Sequence, residues 1–540
     1  MDITKESFRK LPFSPLFRDF ADGHEVLDPF LADRHSYESL VRRINDYSFS
    51  GDRRVSAEQA RRFNRGFSLD TCALENIEAL SDENTVTITT GQQVSLYGGP
   101  LYTVFKTLTV IHLAKSLSRD TAKHVVPVFW LADEDHDFEE IASVSLPVQG
   151  EVKRASLPCK ACARHAAGNI TVEESSFAKF RNEVMEYLPP TDFRDELFSL
   201  LDECYVPGRS LKQAFGELLM RLFSRHGLIL AGSNEREAKR ITRDAIRIAI
   251  ERADDIVSAL EHQSAELESH YHRQAHISDS LLFWHDDDHG RVRLVHDNGR
   301  WSREPGIELG TQELLNELET HPERFSPNVF LRPILQDQLL PNAAYVGGPA
   351  EIAYYAQMKP LYDVFDRKMP FLIARLSATI VEPQISRFLS DLPYTIPEYS
   401  GRFEELEQHY LRKYGEPDLD TRFDHWKEEV ELLSEKMVEE TEIADPGLRK
   451  HAQAITREYT KAIDKLRKKK VQAVRQKEEV RINRLKKVKL GLFPNDRLQE
   501  REISFIYFMN KYGPDIWEQL LTRLNQEQAG LFNRHLYLEL

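Results

Sequence analysis

Apolar residues along the chain fall into short continuous runs and helical-period stretches, and their order predicts a parallel sheet. Thr85-Val86-Thr87-Ile88-Thr89-Thr90 is a β-branched run that stops at Gly91 and reads as a buried strand. Pro100 suits a first helical position, and Leu101, Val104, Phe105, Leu108, Ile111 and Leu113 recur at near-helical spacing up to Lys115. A second apolar run, Val125 to Ala132, ends abruptly in Asp133-Glu134-Asp135-His136-Asp137. Strand, helix and strand in this order predict a βαβ unit. The pattern returns twice: a helix from Leu211 to Arg225 leads into Leu228-Ile229-Leu230-Ala231, and a helix from Pro349 to Phe365 leads into Phe371-Leu372-Ile373-Ala374. Four strands with crossovers predict a Rossmann-like α/β core.

Between these units the period changes. Ser143 to Val172 and Leu281 to Trp301 alternate and carry hairpin turns such as Asp297-Asn298-Gly299, so they read as inserted β-rich connecting lobes. From Phe423 onward, steps of three and four take over: Phe423, Trp426, Val430, Leu433 and Met437, then, after Asp445-Pro446-Gly447, Leu448, Ala452, Ile455, Tyr459, Ala462 and Leu466. This predicts an antiparallel helical coiled coil. Its first arm is acidic (Glu428, Glu429, Glu431, Glu435, Glu439, Glu440) and its second basic (Lys465, Arg467 to Lys470, Arg475), which suits charge pairing between arms and a role in dimerisation. The expected organisation is a core over 1–395 with insertions at about 138–210 and 265–335, a coiled coil over 396–490, and a segment over 491–540 that returns to the core.

Composition narrows the class. A chain of 540 residues exceeds the size at which single cores stop growing, and 41% hydrophobic with 29% charged residues is the balance of an ordered globular protein. The opening residues lack a secretory pattern, and no run reaches the roughly 18 apolar residues of a membrane span. Four cysteines cannot form a disulfide framework. The expectation is a cytoplasmic protein without membrane contact, and the net charge of −15 argues against a dedicated nucleic-acid binder.

Open α/β sheets bind ligands beyond the carboxyl ends of their strands. There the chain has Gly91-Gln92-Gln93, then Gly98-Gly99-Pro100 at a helix entrance, with Lys106 less than two turns on. The arrangement recurs at Gly347-Gly348-Pro349, opening a helix that bears Tyr354 and Lys359, with Arg375 and Ser377 after the next strand. Helix N-termini favour anions, so the two entrances predict a site for an acidic small molecule. Loop punctuation is the alternative at each. The acidic run 133–137 has three readings: metal ligands, a general acid or base in His136 or Asp135, or helix capping. Cys159, Cys162 and His165 resemble half of a zinc site but lack a fourth ligand, so no metal is assigned.

The segments TTGQQVSLYGGPLYTVFKTL, VPVFWLADEDHDFEEI, ERFSPNVFLRPILQD, YVGGPAEIAYYAQMKPLYDVF, MPFLIARLS and LFPNDRLQER, in this order, resemble the cysteine-adding enzymes of bacillithiol biosynthesis over nearly the whole chain. The resemblance implies a ligase that joins the carboxyl group of L-cysteine to the amine of glucosaminyl-malate, and a homodimer built through the coiled coil. Amide formation from a free carboxylate in water needs an activated acyl group, so the chemistry leads to an expectation of ATP as the co-substrate, although no P-loop is present. On this reading Lys106, Lys359, Arg332 and Arg375 meet substrate carboxylates, Tyr102, Tyr354 and Trp130 pack on the sugar, and His136 or Asp135 deprotonates the amine. The turn Ala231-Gly232-Ser233-Asn234 departs from the family's aspartate-containing turn. A nucleotidyl or adenylyl transferase and a non-catalytic coiled-coil scaffold are the competing readings.

Overall fold

The computed structural model of the chain describes residues 1–135, 138–159, 162, 165–171, 173–286, 289–303, 306–527 and 532–540. The chain divides into two compact units, one of residues 1–380 with 499–538, the other of 381–498 with 539–540.

The first unit is built on five parallel strands: β1 (Thr85–Gln93), β2 (His124–Ala132), β3 (Ile229–Ala231), β4 (Asn342–Gly347) and β5 (Phe371–Ala374). Their order across the sheet is β5-β4-β1-β2-β3, with every neighbouring pair parallel. The chain therefore runs outward from β1 in one direction and returns to build outward in the other, which puts a topological switch point between β1 and β4. One strand escapes the apolar pattern: β4 reads Asn-Ala-Ala-Tyr-Val-Gly, with a single β-branched residue, yet all six positions are buried. Small residues do not announce a strand, and only the neighbours β1 and β5 make this one.

Helix α1 (Leu101–Asp120) crosses from β1 to β2 and is buried on almost every face from Leu101 to Leu117. Its buried threonines stay satisfied within the helix, Thr107 and Thr109 donating to the carbonyls of Thr103 and Phe105. Each Leu, Val or Phe side chain buried there contributes about 1.5–3 kcal/mol. Helix α2 (Leu211–Phe223) precedes β3, α3 (Leu331–Leu339) precedes β4, and α4 (Pro349–Tyr355) follows it. The helix expected from Pro349 to Phe365 is in fact two: α4 stops at Tyr355 and a second piece spans Lys359–Val364.

The inserted lobes carry the expected hairpins. Ser143–Val148 pairs antiparallel with Glu151–Ser156, and Val295–Asp297 with Arg300–Arg303 around Asn298 and Gly299, both at positive φ. The first insertion turns helical at Glu174–Tyr187 and Arg194–Cys204.

In the second unit, α5 (Leu419–Ala444) and α6 (Arg449–Lys477) pack as antiparallel arms. Arg467 pairs with Asp420 at 2.6 Å and Lys427 with Asp464 at 2.5 Å, so the charges between arms do meet. Asp420 of α5 makes the first contact in place of the glutamate run, and the second has the reverse polarity, a lysine of α5 meeting an aspartate of α6. An apolar cluster closes the seam near the start of α5, around Leu419, Phe423 and Val474. Trp426, Leu433, Tyr459 and Leu466 stay 42%, 58%, 53% and 54% exposed. No helix among the described residues is long and apolar enough to cross a membrane.

Candidate active site at the switch point

A cavity of about 270 Å³ opens beyond the carboxyl ends of β1 and β4. Gly91, Gln92 and Gln93 enter it from β1, Tyr102 and Lys106 from α1, Asp135 from the turn after β2, and Arg332 from α3. Gly348 and Tyr354 come from α4, and Arg375 from the turn after β5. A larger cavity of about 480 Å³, bounded by Arg42, Arg43, Tyr47, Arg367 and Lys368, adjoins the entry to β5. It lies away from the carboxyl ends, where sheets of this kind bind ligands.

At the centre stands a buried ion pair. Lys106, 3% exposed, places Nζ 2.6 Å from Glu351 and donates to the Gly91 carbonyl at 2.6 Å and to Gln92 at 3.1 Å. Burial depresses the Lys106 ammonium, and Glu351 works against that depression. Burial would likewise raise the Glu351 carboxyl, but Lys106 and the Gly348 N–H hold it below the usual range. Tyr345 donates to Glu351 at 2.6 Å and Gly348 N at 2.8 Å.

Around this pair the walls divide by charge. Arg332 donates to the Tyr354 hydroxyl at 2.7 Å and lies 5.8 Å from the Tyr345 ring centre. The Arg375 guanidinium lies 5.6 Å from the Tyr102 ring centre, and Arg501 joins it on the wall. Opposite charge comes from Asp135, which accepts from Gln93 at 2.5 Å and lies 3.8 Å from Arg291, and from Glu140. A ligand carrying both carboxylate and amine groups finds partners for each.

The structure revises the glycine entrances. Gly98 N–H is bound to the Ser95 carbonyl at 3.2 Å and the Tyr205 hydroxyl at 3.3 Å, and Leu101 N–H to the Ile503 carbonyl at 2.9 Å. Neither Gly98 nor Gly99 lines the cavity; both hold positive φ in a packed turn where Phe505 closes on Gly98. At the second entrance Glu351 caps the Gly348 N–H, and α4 has only seven residues. Protein groups occupy donors that were expected for a ligand, which leaves the side chains Arg332, Arg375, Arg501 and the paired Lys106 as the cations of the cavity.

Other assigned residues separate likewise. Lys359 does not line the cavity, because the break after α4 turns its ammonium onto the carbonyls of Asp28 and Pro29. Trp130 is 1% exposed in the core, and Ser377 bonds to Glu500 and His535. His136 lies outside the described residues. Of the acidic run, Asp133 faces Lys212 at 3.5 Å, Glu134 takes Ser233 and pairs with Lys239, and Asp135 alone of these three enters the cavity. These three carboxylates diverge, and no grouping of three ligating side chains that would hold a metal occurs among the described residues. Ser233, in the departing turn, thus serves Glu134. Cys159 and Cys162 are joined in a disulfide, which replaces the half-zinc reading.

Glu140, Tyr345, Glu351 and Arg501 line the cavity without having been assigned from sequence. For Glu351 a signal existed: a carboxylate three residues past a helix-opening glycine is a cap. For Arg501, about 150 residues from α4, the signal was the family resemblance alone, whose last segment ends on it.

Two family models match the chain, the N-terminal Rossmann-like domain of bacillithiol biosynthesis BshC over residues 1–376 and its C-terminal coiled-coil domain over 378–532. Among curated relatives, a protein of Salinibacter ruber is 34% identical over 89% of this chain and 88% of its own length. One of Geobacillus kaustophilus is 32% identical over 87% and 88%. One of Chlorobaculum tepidum is 31% identical over 98% of each. All three bear the name "Putative cysteine ligase BshC". With both domain models in order across the chain and the cavity at the switch point of the first, this protein belongs to the bacillithiol biosynthesis BshC family.

Proposed function

We propose that the protein is an amide-forming ligase that joins the carboxyl group of L-cysteine to the amine of glucosaminyl-malate, the last step of bacillithiol synthesis. One observation carries the reading: a single cavity sets Arg332, Arg375 and Arg501 around the Lys106–Glu351 pair, with Asp135 and Glu140 on its wall. Two carboxylates of a malyl group and one of cysteine need such cations, and an attacking ammonium needs a carboxylate to take its proton. Asp135, held by Gln93 and near Arg291, fills that last role in the proposal. Tyr102 and Tyr354 offer faces for the sugar ring.

Amide formation from a free carboxylate in water requires activation, and ATP is proposed as the co-substrate. No chain residue is assigned to it, because the chain lacks a glycine-rich phosphate loop. The reaction is proposed to run in the cytoplasm. Purified protein given cysteine, glucosaminyl-malate and ATP is expected to form the thiol product, followed by mass spectrometry. ATP omission should stop it. Pyrophosphate release without thiol product would move the assignment to an adenylyl transferase.

The protein is further proposed to act as a homodimer, with a second copy covering the exposed face of Trp426, Leu433, Tyr459 and Leu466. Sedimentation at micromolar concentration should give twice 62.6 kDa, and Leu433→Glu with Leu466→Glu should give 62.6 kDa. A wild-type monomer at that concentration would remove the proposal.

A further inference from the structure

The cavity's Arg375 is governed by groups far from it in the chain. Helix α7 (Gln499–Glu502) brings Glu500 into the core of the first unit, where it is fully buried. Its Oε1 accepts from Arg375 Nη2 at 2.7 Å and from the Ser377 hydroxyl at 3.0 Å, and its Oε2 accepts from the Ala378 N–H at 2.9 Å. Both edges of the carboxylate are therefore used by donors. Arg375 also donates Nη1 to the Leu376 carbonyl at 2.8 Å, so two of its nitrogens are fixed.

The chain of contacts continues behind Glu500. His535 Nδ1 lies 2.9 Å from the Ser377 oxygen and its Nε2 lies 2.9 Å from the Thr379 oxygen. Ser377 spends its proton on Glu500, so its oxygen accepts from Nδ1–H, and Nε2 accepts from Thr379. A donor series thus runs from Thr379 through His535 and Ser377 to Glu500, which also accepts from Arg375. Every member is buried, from 0% to 2% exposed. Burial drops His535 to about 4, so the ring is neutral at pH 7 and donors converge on Glu500 from both ends of the series. A fully satisfied buried network of this kind rigidifies the groups it holds.

We infer that Glu500, locked by Ser377, His535 and Thr379, is a positioning residue that aims the Arg375 guanidinium at a carboxylate of the ligand in the cavity. The inference rests on the reading that the cavity takes carboxylate ligands. It makes the segment from Gln499 onward a working part of the site: Glu500 orients one arginine of its wall, and the adjacent Arg501 supplies another.

The test is calorimetric titration of the full-length protein with L-malate as the dicarboxylate probe. Wild type is expected to bind. Glu500→Gln places an amide N–H2 against a donor on one edge, and its dissociation constant should rise at least tenfold. Ser377→Ala, which keeps the ion pair, should raise it about threefold. In an Arg375→Lys background, Glu500→Gln should add less than twofold, since its effect passes through the guanidinium. In turnover, KM for the malyl substrate should rise in Glu500→Gln while KM for cysteine and kcat hold. Failure of wild type to bind malate overturns the carboxylate reading and this inference with it. Wild-type binding with an unchanged constant in Glu500→Gln overturns the inference alone. Should Glu500→Gln not fold, an unchanged constant in Ser377→Ala overturns it instead.

Discussion

Replacing Lys106 with methionine is expected to lower folding stability by about 3–5 kcal/mol and to remove measurable thiol product. The first effect follows from burial: the variant keeps the volume of the side chain but strands Glu351 without its counter-charge. Glu351 retains the Tyr345 hydroxyl and Gly348 N–H, which sets the cost toward the lower end of that range. The second effect is separable. In Lys106→Met with Glu351→Gln neither charge is buried alone, so the urea midpoint should recover most of the loss. Product formation should not recover if the ammonium serves the ligand, because the cavity then lacks its central cation. Recovery of both would mean that the pair only holds α1 to α4 and takes no part in chemistry.

Acid should destabilise the first unit through its buried histidines. Burial lowers both His35 and His535 to about 4, against about 6.5 in an unfolded chain. As pH falls below 6.5 the unfolded chain takes up these protons first, so stability declines until about pH 4, where both states are protonated. Each ring contributes about 3 kcal/mol to that decline. Asp337 works the other way: burial pushes it up to about 7, so its folded form gains a proton earlier and gains stability as pH falls. A whole-protein curve sums these opposed contributions, and His535→Gln isolates one of them. Between pH 6.5 and 4 the variant should lose about 3 kcal/mol less than wild type in urea titrations, since an amide bonds to Ser377 and Thr379 without titrating. Equal losses in the two proteins would place His535 outside the acid transition.

How much of this was legible in the sequence depends on distance along the chain. Apolar runs at 85–90, 125–132, 228–231 and 371–374 located four strands of the core, and the alternating steps from Phe423 located the helical arms, because both periods are properties of near neighbours. The strand Asn342–Gly347 was missed because its burial comes from the sheet on either side, not from its own residues. Tyr102, Arg332, Tyr354, Asp135 and Arg375 were assigned to the site and line its cavity, since the residues following parallel strands gather at one edge.

Other parts of the site needed the folded chain. Lys359 looked little more than one helical turn from Tyr354, and a three-residue interruption sent it elsewhere. The Gly-Gly-Pro turns looked open to an anion, but Tyr205, Ile503 and Glu351 reach their N–H groups from outside the motif or from the next turn. Asp133, Glu134 and Asp135 looked like one cluster, and each met a different partner. By itself the sequence determined the sheet, the arms and the edge at which the candidate cavity opens, because hydrophobic period acts over a few residues. Tertiary structure decided which charges are spent on the protein and which face the cavity, because that depends on partners such as Glu351 for Lys106 and Glu500 for Arg375, each more than a hundred residues away.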